Sequence, residues 1–263
     1  MIIDFHTHCF TDKIAEKAVS QLANLVHYEP YTNGTLSCLV KRMDECGVDK
    51  SVVLQIATKP SQQKVINDWA AQNTNDRCII FGSIHPDAED WEEELERIAS
   101  LGIKGVKFHP DYQEFYINEP RMFPIYKKIS QLGLITVFHG GIDAGLYPEK
   151  YFSRPQHLKE ALPHFNGAPV VMAHMGGFKL WDDVEKYLVG EDVYLDTSMA
   201  NGYMPDEQMM RIIKNHGADK ILFATDSPWS HLDEAVAYFK NLPVDDIVRS
   251  KIFGQNAVKL LNL

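Results

Sequence analysis

The amino-acid sequence predicts an α/β fold, a single (β/α)8 barrel with short C-terminal closing helices. Three observations lead there. Eight short apolar or β-branched runs recur along the 263 residues. Amphipathic stretches with helix punctuation separate them, and successive run ends lie roughly thirty residues apart, the length of one strand–helix unit. A doubly wound open sheet is the competing architecture, but it carries a Gly-rich phosphate turn after its first strand. Here "HTHCFTD" occupies that place, and neither GxGxxG nor GxxxxGK[ST] occurs.

The strand candidates, in order, are "MIIDFH" at the start, "SVVLQIA" from Ser51, "CIIFGSIHP" from Cys78 and "GVKFHP" from Gly105. "LITVFHG" from Leu134, "PVVMAHMGG" from Pro169, "DVYLDTS" from Asp192 and "KILFATDSP" from Lys220 complete the eight. Between them, "DAEDWEEELERIASLG", "EPRMFPIYKKISQLG", "FKLWDDVEKYLVG" and "MPDEQMMRIIKNHG" have helical periodicity. Three open on acidic residues that suit the helix dipole, and all four close on Gly. The terminal "LPVDDIVRSKIFGQNAVKLLNL" reads as two short closing helices, with Gly254 and Asn256 as the break and cap between them. No Pro/Gly/Ser-rich linker interrupts the series, so residues 1–263 read as one domain.

Composition narrows the function. The chain is 45% hydrophobic and 24% charged, which suffices for a large core. A formal net charge of −10 argues against nucleic-acid and anionic-membrane partners and for a small-molecule substrate. Cys9, Cys38, Cys46 and Cys78 lack CxxC spacing, and the first residues show no basic then apolar leader. No run approaches the ~20 apolar residues that span a bilayer. The expectation is a reduced, cytoplasmic protein; a homo-oligomer is compatible with all of this.

Chemistry gathers at the strand ends. Side chains two apart on a strand share a face, so Asp4, His6 and His8 are expected on one face, with Asp4 one layer deeper as support for a histidine. An HxH pair alone is as well explained by two inert histidines. His139 in "VFHGG", His174 in "MAHMGG" and Asp226 in "FATDSPW" end three further strands at the same level, where barrel enzymes keep their catalysts. Histidine and carboxylate donors without cysteine suit one divalent metal, Zn²⁺ foremost, with Mn²⁺ or Fe²⁺ as alternatives, and His6, His8, His139 and Asp226 would supply the ligands.

Taken together, "DFHTH", "VKFHP", "FHGG", "AHMGG" and "ATDSPW" resemble the amidohydrolase superfamily. More narrowly, they resemble the branch of TIM-barrel metal-dependent hydrolases that includes aminocarboxymuconate-semialdehyde decarboxylase (the amidohydrolase 2 family). The resemblance runs from the first strand to "GQNAVKLLNL". It implies His6, His8, His139 and Asp226 as metal ligands and leaves His174 as the acid/base group. Binuclear members use a carboxylated lysine on the fourth strand, near Lys107 here. The other motifs resemble the mononuclear branch, which makes Lys107 a charge that pairs with Asp226, another buried carboxylate or an anionic substrate.

Other readings stay open. His85 and His109 are either pocket wall or substrate contact, and Arg154 either forks a substrate carboxylate or makes a helix-entry salt bridge. Tyr112, Phe115, Tyr116 and Trp229 are pocket lining or core cover, and Asp196 and Thr197 are candidates to hold a ligand histidine. Specificity would come from loops such as "HPDYQEFYINEP" and "GGIDAGLYPEKYFSRP". The first expectation is hydrolysis of a small anionic lactone, amide or related compound, since a bound cation lowers the pKa of its water to roughly 7. Asp226 and His174 would then be the catalytic pair. The alternative is metal-dependent, non-oxidative decarboxylation of a small unsaturated or aromatic acid.

Overall fold

The computed structural model describes residues 1–26, 28–143 and 151–263; seven residues of the long loop after the fifth strand lie outside this description. Eight parallel strands form in the expected order: β1 (Ile3–Thr7), β2 (Lys50–Leu54), β3 (Cys78–Phe81), β4 (Gly105–Phe108), β5 (Ile135–Phe138), β6 (Val170–Met172), β7 (Tyr194–Asp196) and β8 (Ile221–Leu222). Hydrogen bonding joins β1-β2-β3 and β4-β5-β6-β7-β8 into two runs. Parallel bridges between Gly82 and Val106 and between Thr7 and Ser227 join the two runs at both seams. Each strand thereby has a neighbour on either side, and the barrel closes.

Helices α1 (Ala15–Val26) and α2 (Leu36–Cys46) follow β1, and α3 (Gln63–Asn73), α4 (Trp91–Ser100), α5 (Pro110–Gln113) and α6 (Phe123–Gln131) follow β2 to β4. Then come α7 (Pro155–Ala161), α8 (Trp181–Tyr187), α9 (Asp206–His216), α10 (Leu232–Asn241), α11 (Asp246–Ser250) and α12 (Asn256–Leu261). The local chemistry explains their limits. Thr35 caps α2 by accepting the Cys38 N–H, and Gly47 ends it in the left-handed conformation (φ 70°) that a side chain would resist. Among the described residues no helix is long and apolar enough to cross a membrane.

The alternation of each strand divides the apolar residues. Phe5, Val52, Leu54, Phe81, Val137 and Leu222 meet in an inner cluster plugged by Ala257, Leu260 and Leu261 of α12. Val53, Ile80, Val106, Phe108, Phe138 and Leu195 face the helices in the larger cluster. Burial of a phenylalanine such as Phe5 stabilises the fold by about 3–5 kcal/mol relative to alanine. This plug fills one end of the barrel and leaves the other for polar groups.

The closing segment differs from expectation. Residues Lys251–Gln255 form a wide, π-type turn that carries α11 into α12 without a break. Gly254 is there because a Cβ would lie 2.5 Å from the Met1 carbonyl oxygen. Asn256 caps nothing; its amide donates to the carbonyls of Ala218 and Ile221 and ties the segment to β8.

Candidate metal centre and active site

The ends of β1, β4, β5, β6 and β8 bring polar side chains to one pocket of about 770 Å³. His6, His8, Lys107, His139, His174 and Asp226 line its floor, and aromatic and aliphatic residues, among them Trp69, Tyr112, Phe178 and Trp229, line its walls.

β1 does not alternate strictly. Its register slips between Asp4 and Thr7, so Phe5 enters the inner cluster edge-on to Phe81 while His6 still reaches the pocket. Asp4 therefore does not support a histidine ring, contrary to the expectation from spacing. Its carboxylate accepts the backbone N–H of His6 and both the N–H and hydroxyl of Thr225, pinning β1 to the strand end beside it. Burial pushes this carboxyl up to about 7.

The residue that holds His6 is Asp196. Its Oδ2 lies 2.9 Å from His6 Nδ1. Its Oδ1 accepts the backbone N–H groups of His174 and Ser198 and the Ser198 hydroxyl. Burial alone would raise this carboxyl, but His6 and these bonds outweigh it and hold Asp196 below the usual carboxylate range.

The partners assign the histidine protons. An ionised Asp196 only accepts, so His6 Nδ1 carries the hydrogen and Nε2 is bare. His8 Nδ1 faces the Leu54 carbonyl at 2.9 Å, which likewise leaves Nε2 bare. Burial, and next the positive charge of Lys107, push His6 down to about 3, so its ring is neutral. The two bare Nε2 atoms are 3.1 Å apart, and Asp226 Oδ1 lies 3.4 and 3.1 Å from His6 and His8 Nε2. That oxygen is buried and has no hydrogen-bond partner.

Three acceptors in mutual contact with no proton among them repel one another. A divalent cation, bonded at about 2.0–2.2 Å to nitrogen and oxygen, removes that repulsion. The donor set thus fits a metal. His139 stands slightly apart: its Nδ1 lies 3.1 Å from His174 Nε2, its Nε2 is buried and unpartnered, and its donor atom groups with those of His109 and Asp143 within 4.8 Å. His174 groups with His6 and Asp226 within the same distance.

Lys107 is 1% exposed, with Nζ 3.4 Å from His6 Nε2 and no carboxylate within ion-pair distance among the described residues. Burial lowers it to about 8, opposed by Asp196 and Asp226. His109 is sandwiched between Tyr112 and His139, at 3.8 and 4.1 Å between ring centres, and its Nε2 is 3.5 Å from Asp143 Oδ2.

The structure separates the remaining candidates. Arg154 lies at the start of α7 with its guanidinium 4.4 Å from the centre of the Tyr151 ring, outside the pocket lining. His85 accepts the Asp87 N–H, also away from the pocket. Phe115 is core, edge-on to Phe108, and Tyr116 packs on Phe152. Thr197 donates to the Ala224 carbonyl and accepts the Ala224 N–H, with no hydrogen bond to a histidine among the described residues. Sequence reasoning missed Asp143, four residues past His139, and Ser198, two past Asp196; both spacings were visible, but neither residue ends a strand.

Residues 3–263 match the sequence family described as amidohydrolase. The chain belongs to that family. Over 73 residues, 28% of this chain and 22% of the relative's length, it is 37% identical to gamma-resorcylate decarboxylase of Polaromonas sp. JS666. The match thus spans less than a quarter of that relative. Among solved structures, an uncharacterized TIM-barrel protein of Bordetella bronchiseptica superposes with a TM-score of 0.78 at 21% identity, covering 99% of this chain and 98% of the other. Dihydroxybenzoic acid decarboxylase of Polaromonas sp. JS666, solved with bound manganese and 2-nitroresorcinol, gives 0.71 at 18% identity over 100% and 97% of the two chains. At such identities the likeness establishes the TIM-barrel fold.

Proposed function

We propose that this amidohydrolase-family protein is a metal-dependent, non-oxidative decarboxylase of a small unsaturated or aromatic carboxylic acid. The observation that carries the reading is Lys107, a buried ammonium beside the metal-ready triangle with no carboxylate in ion-pair reach among the described residues. It lies at the floor of an apolar-walled pocket, where a substrate carboxylate would supply the missing partner. The decarboxylases among the relatives support it and move it ahead of hydrolysis, the first expectation from the sequence, between which and decarboxylation the motifs do not distinguish.

His6 Nε2, His8 Nε2 and Asp226 Oδ1 would hold the cation, and the unpartnered His139 Nε2 would be the fourth ligand. The donors suit Mn²⁺ and Zn²⁺ alike, and manganese is what the dihydroxybenzoate relative carries. When bound, the cation neutralises and orients an anionic oxygen of the substrate. Lys107 and His109 orient the rest of the acid, and aromatic walls exclude water from it. His174, anchored through Nδ1, exchanges a proton at Nε2. Its Nε2, bare in the resting protein, takes up a solvent proton and delivers it to the carbon that bears the carboxylate; the new C–H bond replaces the C–CO₂ bond, whose electron pair remains on that carbon, and CO₂ leaves. Asp226 keeps its second oxygen for proton exchange.

The test is a screen of hydroxybenzoates, unsaturated acids, lactones and amides with Mn²⁺- or Zn²⁺-loaded protein. CO₂ release with one solvent deuteron on the product carbon supports decarboxylation. Turnover of lactones or amides with solvent oxygen in the product and no CO₂ would overturn it in favour of hydrolysis.

A further inference from the structure

We infer that Asp196 and Ser198 together form a divided holder in which each sets the tautomer of a different histidine: Asp196 Oδ2 that of His6, and the Ser198 hydroxyl that of His174. Ser198 Oγ lies 2.8 Å from His174 Nδ1 and 3.2 Å from His6 Nδ1. Its single hydrogen is committed to Asp196 Oδ1. Toward His174 it can therefore only accept, so His174 Nδ1 carries the hydrogen and Nε2 keeps its lone pair. The Ser198 carbonyl, 3.3 Å from the same nitrogen, also only accepts.

The consequence passes one residue further. With His174 Nε2 bare, the 3.1 Å contact to His139 is a bond donated by His139 Nδ1–H, which leaves His139 Nε2 bare as well. One carboxylate thus directs Nε2 lone pairs on His6, His174 and His139 to the pocket side of three strands. All of these groups are at most 7% exposed, so water does not compete. Ser198 is a positioning residue: it acts through His174.

The two arms of the holder separate by substitution. In Asp196→Asn, the amide keeps its oxygen toward the Ser198 and His174 N–H groups and turns its NH₂ to His6 Nδ1, which forces His6 into the other tautomer. In Ser198→Ala, His6 retains Oδ2, while His174 loses its close acceptor and keeps only the longer carbonyl contact.

The measurement is the ¹⁵N spectrum of the histidine side chains in metal-free, substrate-free protein. The tautomers depend on the reading proposed above only for their catalytic meaning, and this spectrum is informative even if no decarboxylation is found. Wild type should show His6 and His174 protonated at Nδ1. Ser198→Ala should mix the tautomers of His174 and leave His6 unchanged; Asp196→Asn should invert His6 and leave His174 unchanged; Ser198→Thr should restore the wild-type pattern. In metal-loaded protein, Asp196→Asn should weaken metal binding by about 10–100-fold, and Ser198→Ala should lower kcat by a similar factor with metal content unchanged. A Ser198→Ala spectrum identical to wild type, or one in which His6 also inverts, would refute the division.

Discussion

The Nε2 atoms of His6 and His8 are 3.1 Å apart, and the partners of both rings leave both atoms without a proton. Two lone pairs at that distance, with Asp226 Oδ1 in contact with each, repel one another, and a cation between them removes that repulsion. Removing the metal with a chelator should therefore lower the melting temperature. At a metal concentration one hundred times Kd the cation contributes about 2.7 kcal/mol, which for a domain of this size corresponds to about 5–10 °C. Differential scanning calorimetry with and without metal checks this, and an unchanged Tm would remove the metal from the argument.

His8→Ala should retain well below one equivalent of metal after dialysis that leaves the wild type loaded, because His6, Asp226 and His139 then hold the cation with three donors instead of four. Elemental analysis of the dialysed protein reads the result directly.

Lys107→Met exchanges a buried ammonium for an apolar side chain of similar length. The fold should keep or slightly gain stability, since burying an unpaired charge is costly, while kcat/KM for a carboxylate substrate should fall about 10–100-fold through the loss of a charge-assisted bond worth about 1.5–3 kcal/mol. Thermal melts and kinetics on the same preparation separate the two effects; a large loss of Tm with intact kinetics would make Lys107 structural.

His174→Asn should retain close to one equivalent of metal and lose about 10²–10⁴ in kcat, the usual contribution of a positioned proton donor. Loss of the metal instead would make His174 a ligand and displace His139 from that role.

Asp111 supplies a pH test outside the metal triangle. Burial, and next the charge of Asp143, push its carboxyl up to about 7, while Ser153 donates to it. The folded protein then binds this proton more tightly than the unfolded chain, whose carboxyl titrates near 4. Stability from this group is present below about pH 4 and is lost as pH rises to about 7. Asp111→Asn should stabilise the fold relative to wild type at pH 8 by on the order of 1–3 kcal/mol, read as a higher Tm, and leave Tm unchanged at pH 4. Equal shifts at both pH values would assign the effect to packing.

Much of this was legible because a barrel strand carries its own address. A short apolar run that ends in His or Asp puts that residue at the mouth whatever the rest of the chain does, so His6, His8, His139, His174 and Asp226 could be gathered before any contact was known. Lys107 and His109 followed from the same two-residue period. Asp4 shows the limit: it obeys the period on paper, but the slip in β1 lets Phe5 take the interior and sends the carboxylate to Thr225. Gly254 is similar, a helix break by propensity that serves instead as a close pass against Met1.

The sequence by itself determined which elements form, their order around the barrel, and which strand ends carry donors for a metal, because alternation and apolar periodicity are local properties. Only the tertiary structure decided which nitrogens of His6, His8, His139 and His174 are bare, that Asp196 rather than Asp4 holds His6, and that among the described residues no carboxylate comes within ion-pair distance of Lys107. Those outcomes depend on hydrogen bonds between groups as far as 190 residues apart in the chain and on burial that raises the cost of any unpaired charge, and neither exists until the barrel has closed.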